Sequence, residues 1–137
     1  MGIDSPRISL IHCSEHIDER HFPHTGGYAD IIERGRQGEF GSCIIDGPLD
    51  LKTSMCPGSL AVKGIDSPVG GDADALVFPD IEAANVFHKT ITLLASSRIA
   101  AVLQGPDVPV VMPSRGDDAD SKYYSLALAA LQSLKNA

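Results

Sequence analysis

The spacing of apolar and polar residues predicts a chain of alternating strands and helices. Short apolar runs predict strands at Arg7–Cys13, Ser42–Asp46 and Ala73–Phe78, and the last is expected to be buried on both faces. Pro79 ends the third run, and Asp80 is well placed to be the N-cap of a helix. The apolar residues of that helix recur at helical spacing and form a face expected to cover a sheet: Ala83, Ala84, Phe87, Ile91 and Leu94.

Two further stretches have helical spacing. One helix is predicted to begin near Tyr28 and to end at Gly35 or Gly38, because glycine commonly follows the last turn of a helix. The chain closes with a long helix predicted from about Asp118 to Leu134. The apolar face of this closing helix consists of Tyr123, Leu126, Ala127, Ala130, Leu131 and Leu134.

The remaining apolar runs, Arg98–Leu103 and Val108–Met112, are predicted strands. The turn between them is too short for a parallel crossover, which needs about a dozen residues, so we expect them to be antiparallel. Leu49–Val62 has some helical character, which Pro57-Gly58 interrupts. The pattern therefore predicts an α/β fold, a layered α/β/α arrangement with a mixed sheet, as a single domain over residues 1–137.

Composition narrows the possible partners and the cellular compartment. The net charge of −7 argues against binding of nucleic acids or anionic membranes, because phosphate backbones need basic patches. The three cysteines, Cys13, Cys43 and Cys56, form no CxxC pair and fit a reducing cytosol. The first residues lack the apolar core of a signal peptide, and no apolar run approaches the ~20 residues of a membrane span. We therefore expect a cytoplasmic protein whose partners are small molecules.

The turn before the closing helix contains groups suited to an anion. Arg115 offers a rigid fork of donors, while the Ser114 hydroxyl and nearby backbone amides add others. Asp117, Asp118 and Asp120 follow, and a carboxylate among them could orient the arginine or accept a proton. The alternative is ordinary: a serine cap, acidic residues in the first helical turn and a solvated arginine.

A second set of candidates surrounds the third predicted strand. Glycines permit a ligand to approach the backbone, although any tight turn also needs them. On the helix after that strand, three polar residues share a face that points either to solvent or into a ligand cleft. The candidate binding residues of this set are Asp46, Gly47, Pro48, Gly70, Gly71, Asp72, Glu82, Asn85 and Lys89.

Four of the five histidines lie in one short run, HCSEHIDERHFPH, which begins at His12 and ends at His24. Zinc binds histidine and cysteine readily, and Cys13, Glu15, Asp18 and Glu19 add possible ligands. The spacing matches no zinc finger and no HExxH helix. The favoured interpretation is a polar loop with no metal site. The sequence alone does not decide whether this run binds a metal.

Four ordered blocks carry a resemblance to a known family. They are Ser42–Leu49 (SCIIDGPL), Lys63-Gly64-Ile65 with Ser67–Asp74 (SPVGGDAD), Leu76–Lys89 (LVFPDIEAANVFHK) and Pro113–Ala127 (PSRGDDADSKYYSLA). In this order and spacing the blocks resemble the C-terminal part of the phosphate acetyl/butyryl transferase family. The pattern is closer to the butyryl branch of the family.

The resemblance implies a phosphate acyltransferase that moves an acyl group between coenzyme A and phosphate, with these molecules as substrates and no tightly bound cofactor. It implies that Ser114 and Arg115 hold phosphate or the thioester carbonyl, and that a nearby acid deprotonates the coenzyme A thiol. The family's acetyl branch places that acid six residues after the arginine, where this chain has Ser121, so Asp117 and Asp120 are the substitutes available.

The resemblance also implies a fold like one domain of the isocitrate and isopropylmalate dehydrogenases, usually paired as a dimer. Family members are much longer, so we expect the family's N-terminal domain to be absent here. The closing helix would then need cover from the rest of this chain or from a partner. A non-catalytic regulatory domain that binds acyl-CoA is the alternative, and the sequence alone does not separate it from an enzyme.

Overall fold

The computed structural model describes residues 2–135 and shows an α/β chain. Backbone packing divides the chain into an N-terminal unit, Met1–Ala84, and a C-terminal unit, Asn85–Ala137. Within residues 2–135, no helix combines the length and hydropathy needed to cross a bilayer. Each unit is described by itself below.

The N-terminal unit is built on a three-stranded sheet. Its strands are β1 (Arg7–Ile11), β2 (Ile44–Leu49) and β3 (Ala75–Val77), in the order β2-β1-β3. Both pairings are parallel, so the predicted mixed sheet is wrong for the strands that the structure describes. The third strand is shorter than predicted, and its Ala75 and Val77 are exposed, so the prediction that it is buried on both faces is wrong.

Helices cover both faces of this sheet. Leu10 of β1 packs with Tyr28 and with Ile45 of β2, which places one helix on the first face. On the opposite face, the buried Ser9 hydroxyl lies 2.6 Å from the Ser54 hydroxyl of a second helix. The N-terminal unit is therefore layered α/β/α. Its helical elements are a 3₁₀ turn (Pro23–Thr25), α1 (Gly26–Arg36), α2 (Leu51–Met55) and α3 (Pro57–Lys63).

Strand β2 continues through the residues predicted to end it. Ser9 lies opposite Asp46 and Ile11 lies opposite Leu49, so two residues of β2, Gly47–Pro48, face a single residue of β1. This extra residue is a β-bulge, which lets a strand accommodate a proline within a sheet. The prediction that the strand stops at Asp46 is therefore wrong.

A residue before proline, rather than proline itself, separates α2 from α3. Cys56 has extended backbone angles (φ −140°, ψ 105°), and Pro57 is the first residue of α3. Proline disfavours helical angles in the residue before it but fits the first turn of a helix. The predicted interruption of Leu49–Val62 is confirmed, and it lies one residue earlier than expected.

Helix α4 (Ile81–Leu94) begins where the sequence predicts, because Asp80 Oδ1 accepts a hydrogen bond of 2.7 Å from the Ala83 backbone N–H. Its predicted apolar face is less buried than expected. No residue of α4 is buried, and Leu94 at the end of that face is 77% exposed.

The C-terminal unit contains α5 (Ala119–Lys135), close to the predicted closing helix. Between α4 and α5 the predicted strands reduce to one antiparallel bridge, Leu103 with Val110, among the described residues. The predicted antiparallel direction is confirmed, but the two strands themselves are not formed. Ala101 in this segment donates its backbone N–H to Ser125 Oγ of α5 at 2.9 Å, a contact that replaces strand pairing.

Candidate functional site

An open cleft of about 470 Å³ lies in the N-terminal unit where β2 ends. We call it the Asp46 cleft. It contains three carboxylates, one ammonium group, one imidazole and a few apolar groups. Its lining residues are Glu15, His16, Asp46, Gly47, Pro48, Leu49, Lys63, Ile65 and Asp66.

The β-bulge determines how the cleft wall is formed. A Cβ added at Gly47 would lie 2.7 Å from both Cβ and the backbone oxygen of Leu10, so only glycine lets the two strands approach this closely. Asp46 is held beside it, because the Ser67 hydroxyl donates a hydrogen bond of 2.6 Å to Asp46 Oδ2. Asp46, Gly47 and Pro48, which the sequence proposes as binding residues, all line the cleft.

Lys63 is shared between two carboxylates at the cleft. Its Nζ lies 2.7 Å from Glu15 Oε1 and 2.7 Å from Asp50 Oδ2. Thr53 is buried and donates its hydroxyl towards Glu15 Oε1 at 3.2 Å, while its backbone N–H bonds Asp50 Oδ1 at 2.7 Å. The network joins α2, α3 and the segment after β1.

This network shifts the pKa values of Asp50 and Lys63. Burial by itself would raise the pKa of Asp50, but hydrogen bonds from Lys63 and Thr53 outweigh burial and lower the pKa to about 2. Hydrogen bonds to Asp50 and Glu15 raise the pKa of Lys63. The Lys63 ammonium and the Asp50 carboxylate are therefore charged at neutral pH.

The cleft has few free donors for an anion. Its one ammonium group, on Lys63, already contacts two carboxylates, and Asp46 and Asp66 add negative charge. A phosphate would meet net repulsion here. The Asp46 cleft is instead suited to an uncharged group that donates hydrogen bonds to carboxylates and packs against Pro48 and Ile65.

Gly70, Gly71 and Asp72 lie outside the cleft lining, in the turn before β3. Both glycines have φ of +70°, and a Cβ at Gly71 would lie 2.6 Å from the backbone nitrogen of Pro57. Asp72 forms an ion pair of 2.6 Å with Arg7 of β1. In this structure the three residues have an evident structural role.

Glu82, Asn85 and Lys89 occupy exposed positions on α4. Glu82 belongs to the N-terminal unit, and the other two belong to the C-terminal unit. All three are accessible to a ligand.

The predicted anion site is a turn in the C-terminal unit, Ser114–Asp117. The Ser114 backbone N–H donates to Asp117 Oδ2 at 2.8 Å, and the Asp117 N–H returns to the Ser114 carbonyl at 3.2 Å. The side chain of Arg115 is exposed, and no ion pair connects it to another described residue. Its guanidinium is available to an incoming anion.

The two acidic candidates differ in their surroundings. Asp117 closes the turn, whereas Asp120 is exposed in the first turn of α5. The neighbouring Asp118 is the N-cap of α5, since its Oδ1 accepts from the Ser121 N–H at 2.7 Å, and that bond lowers the pKa of Asp118. Asp120 is therefore the carboxylate least committed to the fold.

The histidine run does not gather metal ligands. Among residues 2–135, no three side chains of His, Cys, Asp or Glu are grouped so that they could hold a metal ion. His12 directs Nε2 towards the Cys13 sulfur at 3.7 Å and Nδ1 towards His24 Nε2 at 3.4 Å, so its neighbours lie on opposite ring nitrogens.

Several cleft residues were outside the set of binding residues predicted from sequence. The sequence presents Glu15 as a possible metal ligand and Lys63 as part of a family block. Lys63 and Glu15 are 48 residues apart, and their contact depends on the packing of α3. In the sequence, the signal that could have identified Lys63 and Ile65 is the family block that contains them.

Comparisons with known proteins agree on one family. A family model described as phosphate acetyl/butaryl transferase matches residues 1–130. A phosphate acetyltransferase of Thermotoga maritima is 37% identical over 96% of the chain, and a phosphate butyryltransferase of Clostridium beijerinckii is 37% identical over 98%. The chain spans 44% of the length of each of these relatives.

Solved structures show the same similarity. A branched-chain phosphotransacylase from Enterococcus faecalis superposes with a TM-score of 0.84 and 29% identity, covering 96% of this chain and 48% of that one. A phosphotransacetylase from Staphylococcus aureus superposes with a TM-score of 0.78 and 27% identity, covering 96% of this chain and 40% of that one.

Proposed function

Since the chain belongs to the phosphate acetyl/butyryl transferase family, we propose that it carries part of a phosphate acyltransferase, which moves an acyl group between coenzyme A and inorganic phosphate. The observation that carries this proposal is the continuous family match over residues 1–130, which includes both candidate regions. The named relatives are transferases, which favours an enzyme over a non-catalytic acyl-CoA-binding domain. Coenzyme A, its acyl thioester and phosphate are the substrates, with no tightly bound cofactor.

Arg115 and Ser114 bind the phosphate or the thioester carbonyl in this proposal. The exposed guanidinium supplies paired donors that suit a phosphate, and the turn presents the Ser114 hydroxyl beside it. Negative charge develops on the carbonyl oxygen when it is attacked, and preorganised donors stabilise that charge.

A carboxylate accepts the proton of the coenzyme A thiol as the sulfur attacks the acyl phosphate. The thioester bond then forms, the bond from acyl carbon to phosphate oxygen breaks, and phosphate leaves. We assign this role to Asp120, because Asp117 is hydrogen-bonded within the turn and acts there as a positioning residue.

The Asp46 cleft binds the uncharged part of the thioester. Its carboxylates disfavour phosphate but accept hydrogen bonds from amide N–H groups, such as those of the pantetheine arm. The other substrate contacts of the proposal are Gly70, Gly71, Asp72, Glu82, Asn85 and Lys89.

At the level of the whole chain, we propose one α/β domain that corresponds to the C-terminal part of the family fold. Its finer classification is that of one domain of the isocitrate and isopropylmalate dehydrogenase-like fold. The protein acts in the cytoplasm and pairs as a homodimer or with a domain equivalent to the remaining part of its relatives.

The test is phosphate-dependent release of thiol from acetyl-CoA and butyryl-CoA, with Arg115→Ala beside the wild type. We expect the substitution to lower the rate by about 100-fold, the typical cost of losing one transition-state donor. Arg20→Ala is the matched control, because Arg20 is equally exposed and lies in the N-terminal unit. Wild-type turnover that Arg115→Ala does not reduce would contradict the assigned role.

A further inference from the structure

The imidazole rings of His12 and His24 contact each other at the end of β1. His12 is 6% exposed, and its Nδ1 lies 3.4 Å from His24 Nε2. The ring of Phe22 meets His12 edge-on at 4.7 Å between centroids, and the His12 backbone N–H donates to the Leu49 carbonyl at 2.9 Å. This histidine contact has no part in the function proposed above.

The contact closes a segment that is otherwise held by its own hydrogen bonds. The Phe22 N–H donates to the Asp18 carbonyl at 2.8 Å, and the Asp18 N–H donates to the hydroxyl of the fully buried Thr25 at 3.1 Å. Residues 18–25 therefore form one small ordered loop. Its ring contacts with the end of β1 are made through Phe22 and His24.

A hydrogen bond between two imidazoles needs one nitrogen with a proton and one without. With no added proton or one, His12 and His24 satisfy this requirement. With both rings protonated, all four nitrogens carry hydrogens and two positive charges face each other at 3.4 Å. We propose that the His12–His24 contact is an acid-sensitive latch that holds segment 12–25 closed and releases it when the second ring takes up a proton.

The surroundings of His12 support this direction. Burial lowers the pKa of His12, the neighbouring His24 lowers it further, and Asp18 opposes both by raising it. Asp18 is itself shared with His21, whose Nδ1 lies 2.8 Å from Asp18 Oδ2. The folded state thus resists a proton that the unfolded chain accepts near 6.5, so stability is lost as pH falls below that value.

The other groups that face the two rings do not supply the hydrogen-bond acceptor that is lost when both rings are protonated. Cys13 lies on the other nitrogen of His12, with its sulfur at 3.7 Å. Tyr28 of α1 packs against His24, but its hydroxyl donates to the Ile11 carbonyl, and Asp80 acts on that phenol. The hydrogen bond between His12 and His24 therefore depends on how many protons the two rings carry.

The latch affects the Asp46 cleft because the chain between His12 and His24 forms part of the cleft wall. Glu15 and His16 line the cleft, and Glu15 is held from the other side by Lys63. When the latch opens, Glu15 still attaches this wall to Lys63 and Thr53. Acid would thus loosen one wall of the cleft before it unfolds the sheet.

The test is hydrogen–deuterium exchange of segment 12–25 between about pH 7.5 and about pH 5.5, corrected for intrinsic rates. If opening requires the uptake of one proton, the equilibrium constant for opening should rise about tenfold for each pH unit below 6.5. His24→Gln should weaken this slope, because glutamine bonds to the His12 ring without titrating and leaves only the burial of His12 to resist the proton. His88→Gln, on α4, is the matched control and should keep the wild-type slope.

Three results would overturn the proposal. One is exchange of segment 12–25 that is flat across this pH range in the wild type. Another is a slope that His24→Gln leaves unchanged, and the third is a slope that His21→Gln removes instead. If His24→Gln does not fold, the wild-type slope and NMR titration of the His12 ring decide, since the latch requires ring protonation and segment opening to follow one curve.

Discussion

At the scale of single residues, Asp50 combines two stabilising roles that substitutions can separate. It is the N-cap of α2 and the partner of Lys63. Asp50→Asn retains a capping oxygen but removes the charge, so we expect it to cost about 1–2 kcal/mol in urea unfolding at neutral pH. Asp50→Ala also removes the cap and should cost about 1 kcal/mol more.

The pH dependence of stability checks the same prediction. The pKa of Asp50 falls from 3.8 to about 2, so its contribution is complete above pH 3.8 and disappears as pH falls towards 2. Asp50→Asn should flatten the stability curve in this window. Equal costs for the two substitutions would contradict the assigned cap, and an unchanged acid window would contradict the assigned ion pair.

Residue chemistry in the sequence identified part of the candidate site. Asp46, Gly47 and Pro48 were predicted together and do line one cleft, because they are consecutive on one strand. The pairing of Lys63 with Glu15 was not predictable from spacing, because it depends on how α3 packs beside the segment after β1. The role of Arg115 stays a prediction.

At the scale of elements, the start of α4 depends on its cap. Asp80 satisfies one of the amide groups that the first helical turn leaves unpaired. Asp80→Ala should therefore lower the free energy of unfolding by about 1 kcal/mol, measured by urea denaturation. Asp80→Asn is the control, and a loss equal to that of alanine would show that the cap is not the cause.

Helices were predicted more accurately than strands, for a physical reason. The signals for α4 and α5 are local: a cap, then apolar residues at helical spacing. Strands depend on partners far away in sequence. Residues 98–112 have the apolar content of strands, yet their backbone is held partly by Ser125 of α5.

At the scale of the whole molecule, the apolar face of α5 is left largely exposed. Tyr123, Leu126, Leu131 and Leu134 are each at least 60% exposed. If the proposed homodimer buries this face, Leu131→Glu should weaken self-association by about tenfold or more, measured by sedimentation. The free energy of unfolding of the monomer should change by less than about 0.5 kcal/mol.

Val62→Glu provides the comparison for Leu131→Glu. Val62 is 89% exposed on α3 of the N-terminal unit, so it tests the effect of a new surface charge alone. Self-association that both substitutions weaken equally would point to net charge, and the role assigned to the α5 face would then be wrong.

The bulge in β2 has a consequence for how insertions and deletions would act on this chain. Ile45 and Leu49 are four residues apart and would share a face on a regular strand, yet they belong to two separate apolar clusters. The extra residue reverses the alternation of side chains, so that one strand contributes apolar residues to both faces of the sheet. A deletion of one residue at the bulge would leave Leu49 three residues after Ile45, and a regular strand would still place it on the second face with Leu60 and Val69. We therefore expect β2 to tolerate loss of the bulged residue more readily than loss of a paired one.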